Sequence, residues 1–104
     1  MAELLDGAVV RMGGRDWTVP PLTFRQLRRL QPQLERLARI NAAATPEQIG
    51  AVSEIVQAAL SRNYPDITVD EVEDMLDLGN AGRVITAILS GSGLVPGEAQ
   101  PGSV

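Results

Sequence analysis

From Ala8 to Val19 the chain reads "AVVRMGGRDWTV", with apolar and polar positions alternating on either side of a Gly13-Gly14 pair. Two β-prone runs flanking two glycines predict a β-hairpin, because a primed two-residue turn needs positive φ at both central positions. That turn fixes the register: Met12 faces Arg15, Arg11 faces Asp16, Val10 faces Trp17, Val9 faces Thr18 and Ala8 faces Val19. Ala8, Val10, Met12, Trp17 and Val19 then form one apolar side, while Arg11–Asp16 and Val9–Thr18 form the other. An isolated hairpin is marginal in water, so the Trp17 side must lie on helices and Trp17 belongs to the core.

Beyond Pro20-Pro21 the apolar period lengthens to that of a helix. In "FRQLRRLQPQLERLARI", which Thr23 can N-cap, Phe24, Leu27, Leu30, Leu34, Leu37 and Ile40 recur at spacings of three and four and make one stripe. Pro32 lacks an amide donor and predicts a kink or a division near Leu30-Gln31. "TPEQ" at 45–48 reads as a helix start, with Thr45 as cap, Pro46 in the first turn and Gln48 in the capping-box place. Ile49, Val52, Ile55, Val56, Ala59 and Leu60 form its stripe.

Pro65 interrupts the chain, and "TVDE" offers a second capping box between Thr68 and Glu71. Val69, Val72, Met75 and Leu76 make the buried face of that short helix, with Gly79 expected as its left-handed C-cap. Asn80 is expected to cap a last helix carrying Val84, Ile85, Ile88 and Leu89 and stopping at Ser90-Gly91. The glycine and proline of "GSGLVPGEAQPGSV" imply a flexible tail. The expected architecture is mainly α, with an N-terminal β-hairpin packed on a bundle of four to five short helices. Residues 1–7 form a lead, 8–92 a single domain and 93–104 the tail.

Composition narrows the chemistry. The 104 residues suit one small domain, and with 44% apolar residues but one Trp, one Tyr and one Phe the core must be aliphatic. Histidine and cysteine are both missing, which removes the commonest metal ligands, the usual general base at neutral pH and every Ser-His or Cys-His nucleophile. The expectation is a protein that is not an enzyme and holds no cofactor or metal. No run approaches the ~18 apolar residues of a membrane span, and the acidic start "MAELLDGAVV" is unlike a signal peptide, so a soluble protein is expected.

The net charge of −4 conceals a segregation. Residues 11–39 hold seven arginines against Asp16 and Glu35, about +5, whereas residues 40–104 hold Arg62 and Arg83 against nine acids, about −7. Six of those acids crowd into "RNYPDITVDEVEDMLDLGN", residues 62–80. Asp70, Glu71, Glu73, Asp74 and Asp77 occupy what is left of the helix once its apolar face is buried, so a solvated face accounts for them. The stretch has neither the ligand order nor the central glycine of a calcium loop, and no nucleophile or oxyanion donor accompanies Glu71 and Asp74. Asp74 and Asp77 fall at the negative end of the expected helix dipole, a conflict that arginines of the first helix could relieve within the chain or across a subunit contact. Nucleic acid is an unfavoured partner despite those arginines: the chain is acidic, has no lysine and offers no aromatic stacking platform.

"ALSRNYPDITVDEVEDMLDLGNAGRVITAILSGSG" resembles the tail assembly chaperones of long-tailed bacteriophages. In that family an Ala/Leu-rich helix, an "RNYPD" turn, a "T-x-(D/E)-E-V-E" capping segment, an "LD-x-x-N" turn and a short glycine-terminated helix recur. "GGRDWTVPPLTFRQLRRL" is similar to the family's hairpin and first helix, so the resemblance spans roughly residues 8 to 93. It implies a protein that binds the tape-measure protein while tail tube subunits polymerise around it, acts in the host bacterial cytoplasm and is not expected in the mature virion. The tail tube protein and a homo-oligomer are further partners it suggests. Some relatives also have a longer frameshifted form, for which a tail after Gly93 would suit as fusion point. A structural tail or head–tail connector subunit is the alternative. The family brings no catalytic residues. From the residues themselves, Leu27, Leu30, Leu34 and Leu37, rimmed by Arg28, Arg29 and Arg36, suit a partner helix, and equally suit a core or a contact between copies.

Overall fold

The computed structural model describes residues 4–38 and 46–91. Its elements are β1 (Ala8–Met12), β2 (Arg15–Val19), α1 (Phe24–Arg29), α2 (Gln31–Ala38), α3 (Pro46–Leu60), α4 (Val69–Met75) and α5 (Ala81–Gly91). The expected Thr45 cap, Ile40 and the 93–104 tail lie outside the described residues.

β1 and β2 pair antiparallel in the expected register, from Ala8↔Val19 to Met12↔Arg15. Gly13 and Gly14 take φ of 59° and 83°, the positive values a two-residue primed turn demands. Val10, Met12, Trp17 and Val19 are buried, and Trp17 Nε1 donates to the Met12 carbonyl at 3.1 Å, satisfying its one polar atom inside the core. α3 is the central element, packed by α2, α4, α5 and β2. Its Ile55, Val56, Ala59 and Leu60 join Val72 of α4 and Val84, Ile85, Ile88 and Leu89 of α5 in one aliphatic core beneath the hairpin.

The Pro32 division falls where expected: Leu30 closes α1 with φ −95° and ψ 11°, and α2 begins at Gln31. Thr23 caps α1, and a reciprocal bond from the Thr23 amide to Gln26 Oε1 completes a capping box. The expected Thr68–Glu71 capping box opens α4.

Four expectations are corrected. Phe24, counted in the leucine stripe, is 90% exposed. α1 is turned by Gln26, whose Nε2 donates to the Ala58 carbonyl of α3 at 2.8 Å, and a residue two positions earlier lies roughly 200° round the helix, on its far side. Ile49 is 47% exposed, because the residues of α3 that are buried begin at Ala51 and a Cβ placed on Gly50 would meet nothing within 4 Å. Gly79 is no left-handed cap: α4 ends at Met75, Leu76 continues in extended backbone, and Gly13 and Gly14 are the positive-φ glycines among the described residues.

Asn80, finally, does not cap α5 alone. Asp77 Oδ1 accepts from the amides of Gly79 and Asn80 at 2.8 and 2.9 Å, while Asn80 Oδ1 accepts from the Asp77 amide at 2.9 Å. This reciprocal pair caps the turn that leads into α5. Asp77 therefore meets the positive end of a helical turn, where its charge is favoured.

A candidate partner-binding surface

α1 and α2 together carry the leucine row, and the fold divides it. Leu30 is buried at 6% exposure, whereas Leu27, Leu34 and Leu37 lie only partly covered against the same core. Leu30 sits at the junction of α1 and α2, one turn after Gln26, which is anchored to the Ala58 carbonyl of α3.

α2 packs along α3, and Gln33 Nε2 donates to Glu54 Oε1 at 2.7 Å, which sets the register of the pair. Helices joined by a short connection run antiparallel, so Leu37, about 6 Å further along α2, and Ile49, about 7.5 Å back along α3, lie toward the same end. Leu37 and the exposed Ile49 thus lie toward the same end of the α2–α3 pair. Arg28, Arg29 and Arg36 are exposed beside the leucine row. Among the described residues the one ion pair is Arg11–Asp16 at 3.1 Å, within the hairpin. The arginines of α1 and α2 therefore do not neutralise the carboxylates of α4 inside the molecule.

The acidic stretch divides by role. Glu71 closes the capping box of α4 and Asp77 caps the next turn, while Asp70, Glu73 and Asp74 face solvent. Among the described residues no group of three or more His, Cys, Asp or Glu side chains is placed to hold a metal ion. An open depression of about 390 Å³ lies over Asn63, Tyr64, Pro65, Asp66, Ile67 and Glu71.

The "RNYPD" turn proves to be a clamp. Asn63 Nδ2 donates to the carbonyls of Leu5 and Thr18 at 3.1 and 3.0 Å, and its Oδ1 accepts from the Leu5 amide at 2.6 Å. Arg62 Nη1 donates to the Pro21 carbonyl at 2.6 Å. Tyr64 sets its ring edge-on to Trp17, centroids 4.8 Å apart, and the Arg15 guanidinium lies 3.8 Å over the Trp17 ring. These side chains hold the base of the hairpin to the end of α3 and are occupied in doing so.

Sequence reading placed Val9 on the polar side of the hairpin, passed over Leu78, and placed Phe24 and Ile49 inside. All four are exposed large apolar side chains. Val9 is exposed as the register requires. No protein-family model, no curated protein and no solved structure matches the chain.

Proposed function

We propose that the protein is a tail assembly chaperone of a long-tailed bacteriophage, holding the apolar helical tape-measure protein in soluble form while the tail tube grows around it. It acts in the cytoplasm of the infected bacterium and leaves before the particle is complete. The observation that carries this reading is the partly covered row Leu27, Leu34 and Leu37, edged with arginines that have no carboxylate partner among the described residues.

A holding protein needs apolar surface it can lend and charge that keeps copies from coalescing. A helical client can lay its own apolar stripe along such a strip, as amphipathic helices do in hydrophobic grooves. The sequence resemblance over residues 8 to 93 supports the same reading. The chemistry asked of the protein is association alone.

Mass spectrometry of purified virions tests the assignment against a structural tail or connector subunit. The chaperone is missing from finished particles, whereas a subunit is recovered in fixed ratio to the tube protein. Co-expression with the tape-measure chain is the positive counterpart.

A further inference from the structure

We propose that the client segment received by the leucine row is acidic on its flanks: an amphipathic helix whose apolar stripe lies along Leu27, Leu34 and Leu37 and whose carboxylates meet Arg28, Arg29 and Arg36. This rests on the reading of that row as the client surface and adds the chemistry by which a client is chosen. α1 and α2 carry Arg25, Arg28, Arg29 and Arg36 against the single acid Glu35, and all five side chains are exposed. None of the four guanidiniums has an ion pair or hydrogen bond among the described residues. Arg11, Arg15 and Arg62, by contrast, are each engaged: Arg11 pairs with Asp16, Arg15 lies over the Trp17 ring and Arg62 donates to the Pro21 carbonyl. The carboxylates of α4 do not come to the free arginines either, since Asp70, Glu73 and Asp74 face solvent without an arginine partner.

A guanidinium presents a fork of donors that matches a carboxylate, and its apolar stem can lie on hydrophobic surface while the charge stays at the edge. A helical client offers both counterparts at once, with apolar residues at spacings of three and four and carboxylates on the neighbouring positions of the same turns. A phosphate backbone would meet the arginines but has nothing for the leucines. The partner that answers the whole surface is therefore a protein segment. Each exposed pair adds little, yet several of one sign decide between apolar stripes that are otherwise equal. A stripe flanked by lysines is repelled and one flanked by glutamates is held, which is selection by charge within a class of greasy helices.

The test uses a pair of synthetic helical peptides with the same leucine stripe, one flanked by glutamates and the other by lysines, titrated against the intact chain by fluorescence anisotropy. At low salt the glutamate peptide binds about tenfold more tightly, and the preference fades in high salt as the pairs are screened. Arg28→Gln/Arg36→Gln, which changes exposed side chains alone, keeps the wild-type circular dichroism and binds the peptides alike. Arg28→Glu/Arg36→Glu prefers the lysine peptide, and Leu34→Asp/Leu37→Asp loses both. Equal binding of the peptides by the wild type, or a glutamate preference that survives the glutamine variant, would overturn the proposal and leave the leucine row standing as the client surface. An oligonucleotide that displaces the glutamate peptide at the same low salt would overturn it by assigning the arginines to phosphate. Binding of neither peptide removes the row itself, and the proposal with it.

Discussion

The amide of Thr18 donates to the Tyr64 hydroxyl at 3.0 Å, across a separation of 46 residues. This bond occupies the outer edge of β2, beside the Asn63 bond to the Thr18 carbonyl, and ties the hairpin to the turn that ends α3. Together these bonds hold the two-stranded sheet by its edge as well as by its apolar face.

Tyr64→Phe should keep the ring contact with Trp17 and lose only the hydrogen bond, at a cost of about 1 kcal/mol. For a domain of this size that is a fall in Tm of about 4–8 °C. Asn63→Ala removes three hydrogen bonds and should cost more, about 2 kcal/mol. Urea unfolding of the three proteins gives the order; a Tyr64→Phe protein as stable as wild type would show that the bond adds nothing.

Asp77 and Asp74 are neighbours in sequence with opposite effects expected. Asp77 caps the turn into α5, so Asp77→Ala should destabilise by about 1 kcal/mol. Asp74 lies one residue before the end of α4, where a negative charge is disfavoured, so Asp74→Ala should be neutral or stabilising by a few tenths of a kcal/mol. Thermal melts at low salt read the difference, and equal effects would remove the capping role assigned to Asp77.

Gly13 and Gly14 both need positive φ, so alanine at either strains the turn by about 1–2 kcal/mol. Only Gly13 has a neighbour in the way: Met75 Cγ lies 2.8 Å from an added Cβ, whereas Gly14 has open space. Gly13→Ala should therefore be the more destabilising of the two. In the Met75→Ala background the gap between them should close, as a double-mutant cycle in urea can check.

Much of the fold is legible in the sequence because it is local. The hairpin register follows from alternation about two glycines, and Thr68–Glu71 announces its capping box by spacing. Pro32 marks the break between α1 and α2. What escapes reading depends on contacts between distant segments. The inward face of α1 is chosen by Gln26 reaching Ala58, so a stripe drawn through Phe24 points the wrong way at its first member. Asp77 reads equally well as the last turn of α4 or the cap of the next, and the early end of α4 at Met75 decides between them. For the candidate surface, the leucine row is visible as a period. Its division into one buried and three half-covered residues is not, since it depends on where α3 lies.

That division predicts two kinds of variant. Leu30→Asp places a charge in the core and should prevent folding, seen as loss of a cooperative melt. Phe24→Ser, on the exposed side of the same helix, should leave stability within about 0.5 kcal/mol of wild type. A cooperative melt retained by Leu30→Asp would move that residue from the core to the surface.

The central claim is that the protein works by lending the outer flank of its leucine row to an apolar helical client. Soluble recovery of the tape-measure chain on co-expression tests it most directly, comparing the wild type with a Leu34→Asp/Leu37→Asp variant confirmed as folded by circular dichroism. The account predicts soluble client with the wild type and aggregated client with the folded variant. Equal recovery with both, or none with the wild type, would contradict it.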